Sequence, residues 1–172
     1  MTRQGPGFTV RALRPEDHER LGLITAGAYL ADPMLGFTAE TAYLDVLRDV
    51  GARAADSEVL VAADDDGTLL GSVAFVSGPG PFADVAGPGE AEFRMLAVDA
   101  AAQGRGVGRA LVEACVERAR QVPGCRLLVL STQVGMLAAR RIYESRGFVR
   151  DPARDWSPVP GLTLLAYVLE LD

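Results

Sequence analysis

A glycine-rich segment at residues 103–109 most constrains how this chain can fold. It follows the apolar run at 95–98 and precedes a helical pattern, so the sequence predicts a strand, a tight turn and a helix. Glycines at 104, 106 and 108 let the backbone bend sharply and approach a ligand. A helix N-terminus attracts anions, and Arg105 and Arg109 add positive charge. The segment predicts a phosphate-binding loop; the alternative is a turn without a ligand.

The spacing of these glycines argues against two common nucleotide-binding loops. A dinucleotide fingerprint requires G-x-G-x-x-G, but the third glycine would fall on Arg109 counted from Gly104, and on Leu111 counted from Gly106. A nucleoside-triphosphate loop requires a lysine after its last glycine, and the chain contains no lysine. A nicotinamide-dependent oxidoreductase is therefore disfavoured.

Length and composition are those of one globular domain, which we expect to span residues 1–172. Hydrophobic residues make up 49% of the chain and charged residues 23%, as in soluble proteins. The apolar runs are too short to span a membrane, and residues 1–6 lack a hydrophobic signal region, so we expect a cytoplasmic protein without a membrane partner. Cys115 and Cys125 have no metal-binding spacing, which favours free thiols and no metal site.

The charge is distributed unevenly. The net charge of −6 divides into −8 over residues 1–90 and +2 over residues 91–172, the half with the predicted phosphate loop. The acidic half could attract a cationic amine, or it could be an ordinary solvated surface. A nucleic-acid partner is not expected, because there is no basic stripe and the pI is near 4.8.

Hydrophobic periodicity and turn residues predict a mixed α/β sheet of about seven strands and four helices. Strands are predicted at residues 8–12, 58–63, 69–76, 90–98, 127–130, 148–150 and 162–171. Helices are predicted from Pro15 to Tyr29, from a Thr38 cap toward Gly51, from Val107 to the turn at Pro123, and over 135–146. Segments 77–89 and 151–161 are predicted loops.

Two motifs together resemble the GNAT superfamily of N-acetyltransferases. The acyl-coenzyme A loop pattern Q/R-x-x-G-x-G is met by Gln103, Gly106 and Gly108. A second pattern, A-x-x-L-Y-x-x-x-G-F, is similar to residues 139–148, with Ile142 at the leucine position. The resemblance is tight over 92–148 and loose over the rest of the chain. It implies a mostly antiparallel twisted sheet in which the strands at 91–98 and 126–131 splay apart in a V.

The resemblance also implies acetyl-coenzyme A as co-substrate. Its pantetheine arm would enter the V as a pseudo-strand, pairing with the main chain of residues 96–98, and the glycine-rich loop would bind its pyrophosphate. The cofactor-binding residues implied in this way are Leu96, Ala97, Val98, Gln103, Gly104, Arg105, Gly106, Val107, Gly108, Arg109 and Met136. Met136 stands where the family often has an asparagine that hydrogen-bonds the cofactor, a contact that Gln133 could replace.

Two kinds of catalytic residue are expected. Tyr143 matches the tyrosine that protonates the departing thiolate in many family members; the alternative is an aromatic that packs against the sheet. An alkylammonium, with a pKa of about 10.4, must lose a proton before it can attack. We predict Glu92 as the base, with Glu90 second; the alternative is two solvated edge-strand acids paired with Arg94 or Arg126.

Strand alternation supports the choice of these two acids. Glu90 and Glu92 are predicted to share one face of their strand, while Ala91 and Phe93 share the other. A bulge near residues 95–96 would shift this alternation and change which acid faces the pocket.

The resemblance favours an N-acetyltransferase that moves an acetyl group to a primary amine by direct attack through a tetrahedral intermediate. A backbone N–H on the splayed strand would stabilise the developing oxyanion. The alternative is a non-catalytic acyl-coenzyme A-binding or regulatory domain with the same fold. No motif identifies the acceptor, a small molecule or a protein or peptide amine. Its contacts are expected from the first two helices and segments 77–89 and 151–161. The protein is expected to be a monomer or homodimer.

Overall fold

The computed structural model describes residues 3–5, 7–38 and 40–172, which form nine strands and five α-helices. The strands are β1 (Arg3–Gly5), β2 (Phe8–Ala12), β3 (Glu58–Asp64), β4 (Leu69–Val76), β5 (Glu90–Val98), β6 (Leu127–Gln133), β7 (Val149–Arg150), β8 (Trp156–Val159) and β9 (Leu162–Glu170). The helices are α1 (His18–Ala31), α2 (Tyr43–Arg48), α3 (Val50–Asp56), α4 (Val107–Arg120) and α5 (Leu137–Arg146).

All these strands belong to one sheet in the order β1-β2-β3-β4-β5-β6-β9-β7, with β8 also paired to β9. Paired strands are antiparallel except β5 and β6, which run parallel because α4 connects them. The mixed, mostly antiparallel fold predicted from the sequence is confirmed.

The parallel pair β5–β6 opens after three residues. Glu90, Ala91 and Glu92 pair with residues 127–129, and no pairing between the two strands follows. Beyond Glu92, β5 remains paired with β4, while β6 continues alongside β9. The β6-facing edge of residues 93–98 is therefore without a strand partner, and the predicted V-shaped splay is confirmed.

A β-bulge lies in the open part of β5. Ser72 of β4 pairs with Ala97 and Ala74 pairs with Arg94, so two residues of β5, Met95 and Leu96, lie opposite one residue of β4. Met95 has φ of 53°, the only positive φ among the described non-glycine residues. The bulge considered from the sequence is thus present.

Helices cover both faces of the sheet, and alternation along each strand distributes apolar side chains between them. In β3, Leu60 and Ala62 belong to the core beneath α4, whereas Val59 and Val61 pack with residues of α1 and α3. Helix α4 buries a continuous stripe against the sheet, formed by Val107, Leu111, Val112, Cys115, Val116 and Ala119.

The structure differs from the sequence prediction mainly in the second helix, which was predicted to start after a Thr38 cap. It begins instead at Tyr43 and is interrupted at Asp49, so that α2 and α3 are separate. Asp49 ends the first helix because its backbone, at φ of −79° and ψ of 79°, is not helical. It caps the second helix by accepting a hydrogen bond from the Ala52 N–H at 2.8 Å. Two short strands, β1 and β8, were not predicted, and β8 lies inside the segment 151–161 that was predicted to be a loop.

Within the described ranges, no helix is both long and apolar enough to cross a membrane, and no group of His, Cys, Asp or Glu residues could hold a metal ion. Cys115 is buried and Cys125 is half-buried, and both carry free thiols.

Candidate active site

A cleft of about 510 Å³ lies where β5 and β6 diverge. One wall is the open stretch of β5 and the turn after it, a second is the first half of α5, and a third is the C-terminal end of α1. Of the predicted cofactor-binding residues, all but Arg105 line this cleft: Leu96, Ala97, Val98, Gln103, Gly104, Gly106, Val107, Gly108, Arg109 and Met136.

The glycine-rich turn leads directly into α4. Gly104 and Gly106 have φ of 79° and 81°, a backbone conformation that other L-residues adopt only with strain. A Cβ at either position would meet nothing within 4 Å, so the space in front of the turn is open. Gly106 is the N-cap of α4, and no side chain caps this helix, whose first N–H groups have no acceptor inside the helix. These N–H groups and the helix dipole form an anion-binding cradle.

The two arginines of the turn are placed differently. Arg105 turns away and forms a bidentate ion pair with Asp64 at the end of β3, at 2.6 and 3.1 Å. Arg109 lines the cleft from the first turn of α4. The structure thus offers Arg109 to a ligand, while Arg105 holds the turn against the β3–β4 hairpin.

Gly108 brings the cradle close to α5. A Cβ at this position would lie 3.0 Å from Ile142 Cδ1 and 3.6 Å from Val98 Cγ2. The glycine therefore allows the start of α4 to pack directly on both β5 and α5. Contacts this close bring the start of α4, β5 and α5 together at one point of the cleft.

Met136 lines the cleft just before α5 begins. Its sulfur accepts a hydrogen bond from the Thr132 hydroxyl at 3.3 Å. A thioether is a weak acceptor and cannot donate, so Met136 offers the cleft an apolar surface rather than a hydrogen-bond donor. Gln133, suggested as a replacement for the missing asparagine, does not line the cleft.

Tyr143 lies on α5, one residue after Ile142, which does line the cleft. Its ring packs against Phe93, Phe148 and Tyr167, with centroids 5.6–6.1 Å apart. Only 4% of the residue is exposed, and burial raises the pKa of its hydroxyl. The packing fixes the ring and keeps the phenol protonated.

Glu92 lies at the vertex of the V, opposite Val129 in the last residue pair that joins β5 to β6. Its side chain is fully buried, and one oxygen, Oε2, accepts hydrogen bonds from three successive backbone N–H groups, those of residues 84–86, at 2.9–3.0 Å. The other oxygen, Oε1, is buried without a protein partner. Burial raises the pKa of this carboxyl despite the backbone hydrogen bonds.

Glu90 is on the same face of β5 as Glu92, as predicted, but its carboxylate is paired. Both oxygens bind Arg154 at 2.7 Å, and the Gly87 N–H donates a further hydrogen bond at 2.8 Å. The hydrogen bonds from Arg154 lower the pKa of this carboxyl. Ala91 and Phe93 pack on the opposite face, in the core beneath α4.

Several residues of the cleft were not predicted. Ala139 and Ile142 belong to the second motif, and with Ala138 they form one face of α5, so helical spacing could have identified them. Tyr29, Asp32 and Leu35 come from the end of α1 and the turn after it. These three follow no motif in the sequence, because they reach the cleft only through packing of α1 on the sheet.

Comparisons of the sequence with known proteins match it to acetyltransferases. A family model described as the Acetyltransferase (GNAT) family matches residues 26–148. Mycothiol acetyltransferase of Sanguibacter keddieii is 32% identical over 150 residues, covering 84% of this chain and 44% of that protein. Mycothiol acetyltransferase of Cellulomonas flavigena is 33% identical over 152 residues, covering 84% and 41%. The chain thus spans less than half the length of these curated relatives.

Solved structures share the architecture over nearly the whole chain. The protein yncA of Salmonella typhimurium, solved with its cofactor acetyl-CoA, has a TM-score of 0.68 at 25% identity, covering 96% of this chain and 95% of that one. Spermidine N-acetyltransferase of Vibrio cholerae, in complex with CoA and spermine, has a TM-score of 0.68 at 17% identity, covering 97% of each chain. At that identity the second likeness concerns the fold alone.

Proposed function

This chain belongs to the GNAT family of acetyltransferases, and we propose that it transfers an acetyl group from acetyl-coenzyme A to a primary amine. The observation that carries the proposal is the cleft between β5 and β6, which combines an unpaired strand edge with an uncapped, glycine-rich helix start. The described residues form one continuous sheet, which supports a single catalytic domain.

The cleft fits acetyl-coenzyme A at both ends. The open space before Gly104 and Gly106, the free N–H groups of the first turn of α4 and the Arg109 side chain suit a pyrophosphate. The unpaired main chain of residues 96–98 suits the amides of a pantetheine arm, which can pair with it as a strand would. The coenzyme supplies an acetyl thioester, whose carbonyl a β5 N–H would polarise.

Starting from an alkylammonium, the acetyl transfer requires one C–N bond to form, one C–S bond to break, and two protons to leave the nitrogen, one before attack and one from the tetrahedral intermediate, while the sulfur gains one. We assign the first proton to Glu92, through a water bound at the unpartnered Oε1, and the second balances the proton that the thiolate takes up. The raised pKa of this carboxyl makes it a stronger base than an ordinary glutamate. Glu90 suits this role less well, because Arg154 occupies its carboxylate and lowers its pKa.

We assign to Tyr143 the protonation of the leaving thiolate. Its ring is held rigidly by three aromatic neighbours, and its hydroxyl remains protonated because burial raises its pKa. A protonated phenol beside the sulfur can donate a hydrogen bond to the developing thiolate and pass it a proton. This assignment predicts an effect on turnover rather than on coenzyme binding.

A non-catalytic coenzyme sensor is the second candidate, favoured by Met136, which gives the cleft no hydrogen-bond donor at that position. Calorimetry with acetyl-coenzyme A and thiol release with a broad amine panel distinguish the two. We expect both binding and turnover. Absence of binding at millimolar coenzyme would refute both candidates, and tight binding with no turnover on the whole panel would favour the sensor.

A further inference from the structure

We infer that the acceptor is a primary amine carried on an aromatic or similarly flat apolar body, which rests on an aromatic wall formed by Tyr29, Phe37, Tyr43 and Phe82. The inference builds on the proposed function, because it names the class of amine that the same cleft takes. It depends on the arrangement, exposure and charge of this wall.

The first three rings touch one another, although they come from separate elements. Tyr29 of α1 is 5.7 Å from Phe37 and 6.4 Å from Tyr43 of α2, measured between centroids, and Phe37 is stacked on Tyr43 at 6.1 Å. Phe82, from the loop before β5, packs against the same small core as Tyr29 and Tyr43. Four aromatic side chains thus converge from four parts of the chain: α1, the turn after it, α2 and the loop before β5.

Their exposure distinguishes these rings from aromatic residues that only fill the core. All four are half-buried, whereas the aromatic residues beneath α4 and α5 are at most 4% exposed: Phe8, Phe75, Phe93, Tyr143, Phe148 and Tyr167. Tyr29 also lines the coenzyme cleft, together with Leu35 from the turn after α1. An aromatic surface left partly open beside a binding cleft is suited to contact with an apolar ligand group.

The wall is held in position by Arg94 of β5. Its guanidinium lies 4.5 Å above the Phe82 ring, donates to the Phe82 carbonyl at 2.8 Å and forms an ion pair with Asp84 at 2.8 Å. Glu92 holds residues 84–86 of this loop by accepting hydrogen bonds from their backbone N–H groups. Because both anchors are on β5, the wall has a fixed position relative to the strand edge that would hold the thioester.

The charges lining the cleft argue against a polyamine. Asp32 is the one carboxylate among the cleft-lining residues, all of which lie in the described ranges. A polyamine carries several positive charges that would each need a carboxylate or a solvated position. A monoamine with an apolar body gains from burial against aromatic rings and brings only one charge to be solvated.

The test measures amine binding and turnover separately. Calorimetry on protein saturated with coenzyme A would compare 2-phenylethylamine, n-butylamine and spermidine, and thiol release with acetyl-coenzyme A would follow turnover of the same amines. The variant is Phe37→Leu, which keeps an apolar side chain but removes the ring. Leu23→Ala is the control, since Leu23 is on α1 but 53% exposed and outside the cleft. Unchanged coenzyme A binding would show that each variant is folded.

We expect 2-phenylethylamine to bind about ten-fold more tightly than either other amine. Phe37→Leu should weaken binding of 2-phenylethylamine about three- to ten-fold and should have little effect on binding of n-butylamine. Leu23→Ala should change the binding of neither amine. Equal or tighter binding of n-butylamine or spermidine, or no binding of 2-phenylethylamine, would overturn the inference. An equal loss of affinity for all three amines in Phe37→Leu would also overturn it. Selective binding of 2-phenylethylamine without turnover of any amine would instead leave the aromatic subsite standing and refute acetyl transfer.

Discussion

Replacing Glu92 with Gln tests the assignment of the catalytic base. The amide oxygen of Gln can still accept hydrogen bonds from the N–H groups of residues 84–86, but the amide cannot take up a proton. We therefore expect Glu92→Gln to keep the fold and the coenzyme affinity. A general base typically contributes about 10²–10⁴-fold to a rate, so kcat should fall by an amount in that range.

Glu92→Ala supplies the structural comparison. It removes the acceptor from three N–H groups around a fully buried side chain, and each unpaired buried donor costs about 1 kcal/mol or more. With the cavity included, we expect a loss of roughly 3–5 kcal/mol in the free energy of unfolding, measured by urea titration. Glu92→Gln should lose much less.

Thiol release measured across pH separates catalysis from stability. The wild-type kcat should rise with pH as the Glu92 carboxyl ionises, and because burial raises its pKa, the rise should lie above the range of an ordinary glutamate. The kcat of Glu92→Gln should not show this rise with pH. A Gln variant with wild-type kcat and an unchanged pH profile would refute Glu92 as the base, and its carboxylate would then serve only to hold the loop.

Wild type and Glu92→Gln should also differ in how their free energy of unfolding depends on pH. A carboxyl whose pKa is higher in the folded than in the unfolded state stabilises the fold below the unfolded pKa, and this contribution is lost as pH rises through the folded pKa. The unfolding free energy of wild type minus that of Glu92→Gln should therefore fall as pH rises through the carboxyl range. A difference that rises with pH, in urea titrations at several pH values, would contradict the raised pKa.

Three further variants test other parts of the site. Tyr143→Phe should lower kcat by about 10²-fold with coenzyme affinity unchanged in calorimetry, since only the proton donor is lost; unchanged kcat would exclude the role. Gly106→Ala should strain a residue with φ of 81° by about 1–2 kcal/mol and weaken coenzyme binding, whereas Gly67→Ala, at φ of 90° in the β3–β4 turn, should cost similar stability without affecting that binding. Arg53→Ala should cost roughly 3 kcal/mol in urea, because Arg53 is buried and donates to the Leu47 carbonyl at the end of α2; a loss below about 0.5 kcal/mol would contradict this.

The part of the cleft proposed to bind acetyl-coenzyme A was predictable, because the sequence features that indicate it are local. The turn needs left-handed conformations at Gly104 and Gly106, and the sequence has glycine at both positions. The strand before the turn and the helix after it follow from hydrophobic periodicity, so the placement of residues 96–109 around one cleft requires only strand–turn–helix geometry. The predicted roles of these residues stay predictions until binding is measured.

The break at Asp49 and the identity of Arg154 as the partner of Glu90 could not be predicted, because they depend on distant contacts. The helical pattern at 38–51 gives no sign of the interruption, which accompanies a buried Arg53 that reaches back to α1 and α2. Glu90 is paired with an arginine 64 residues away, a contact that strand alternation cannot anticipate. Alternation correctly gave the face of each acid, but the partner on that face is set by tertiary structure.

The bulge in β5 connects the two halves of the site. One extra residue turns Met95 toward α1 and α2, where it is buried with Ala26, Leu44 and Leu47 beside the aromatic wall. The next residue, Leu96, then lines the cleft on the open edge of the strand. The bulge therefore places Met95 in the core beneath the aromatic wall and Leu96, the next residue, in the cleft. Any change that regularises β5 should consequently impair both substrates together, whereas changes in Phe37 or Gly106 should affect one.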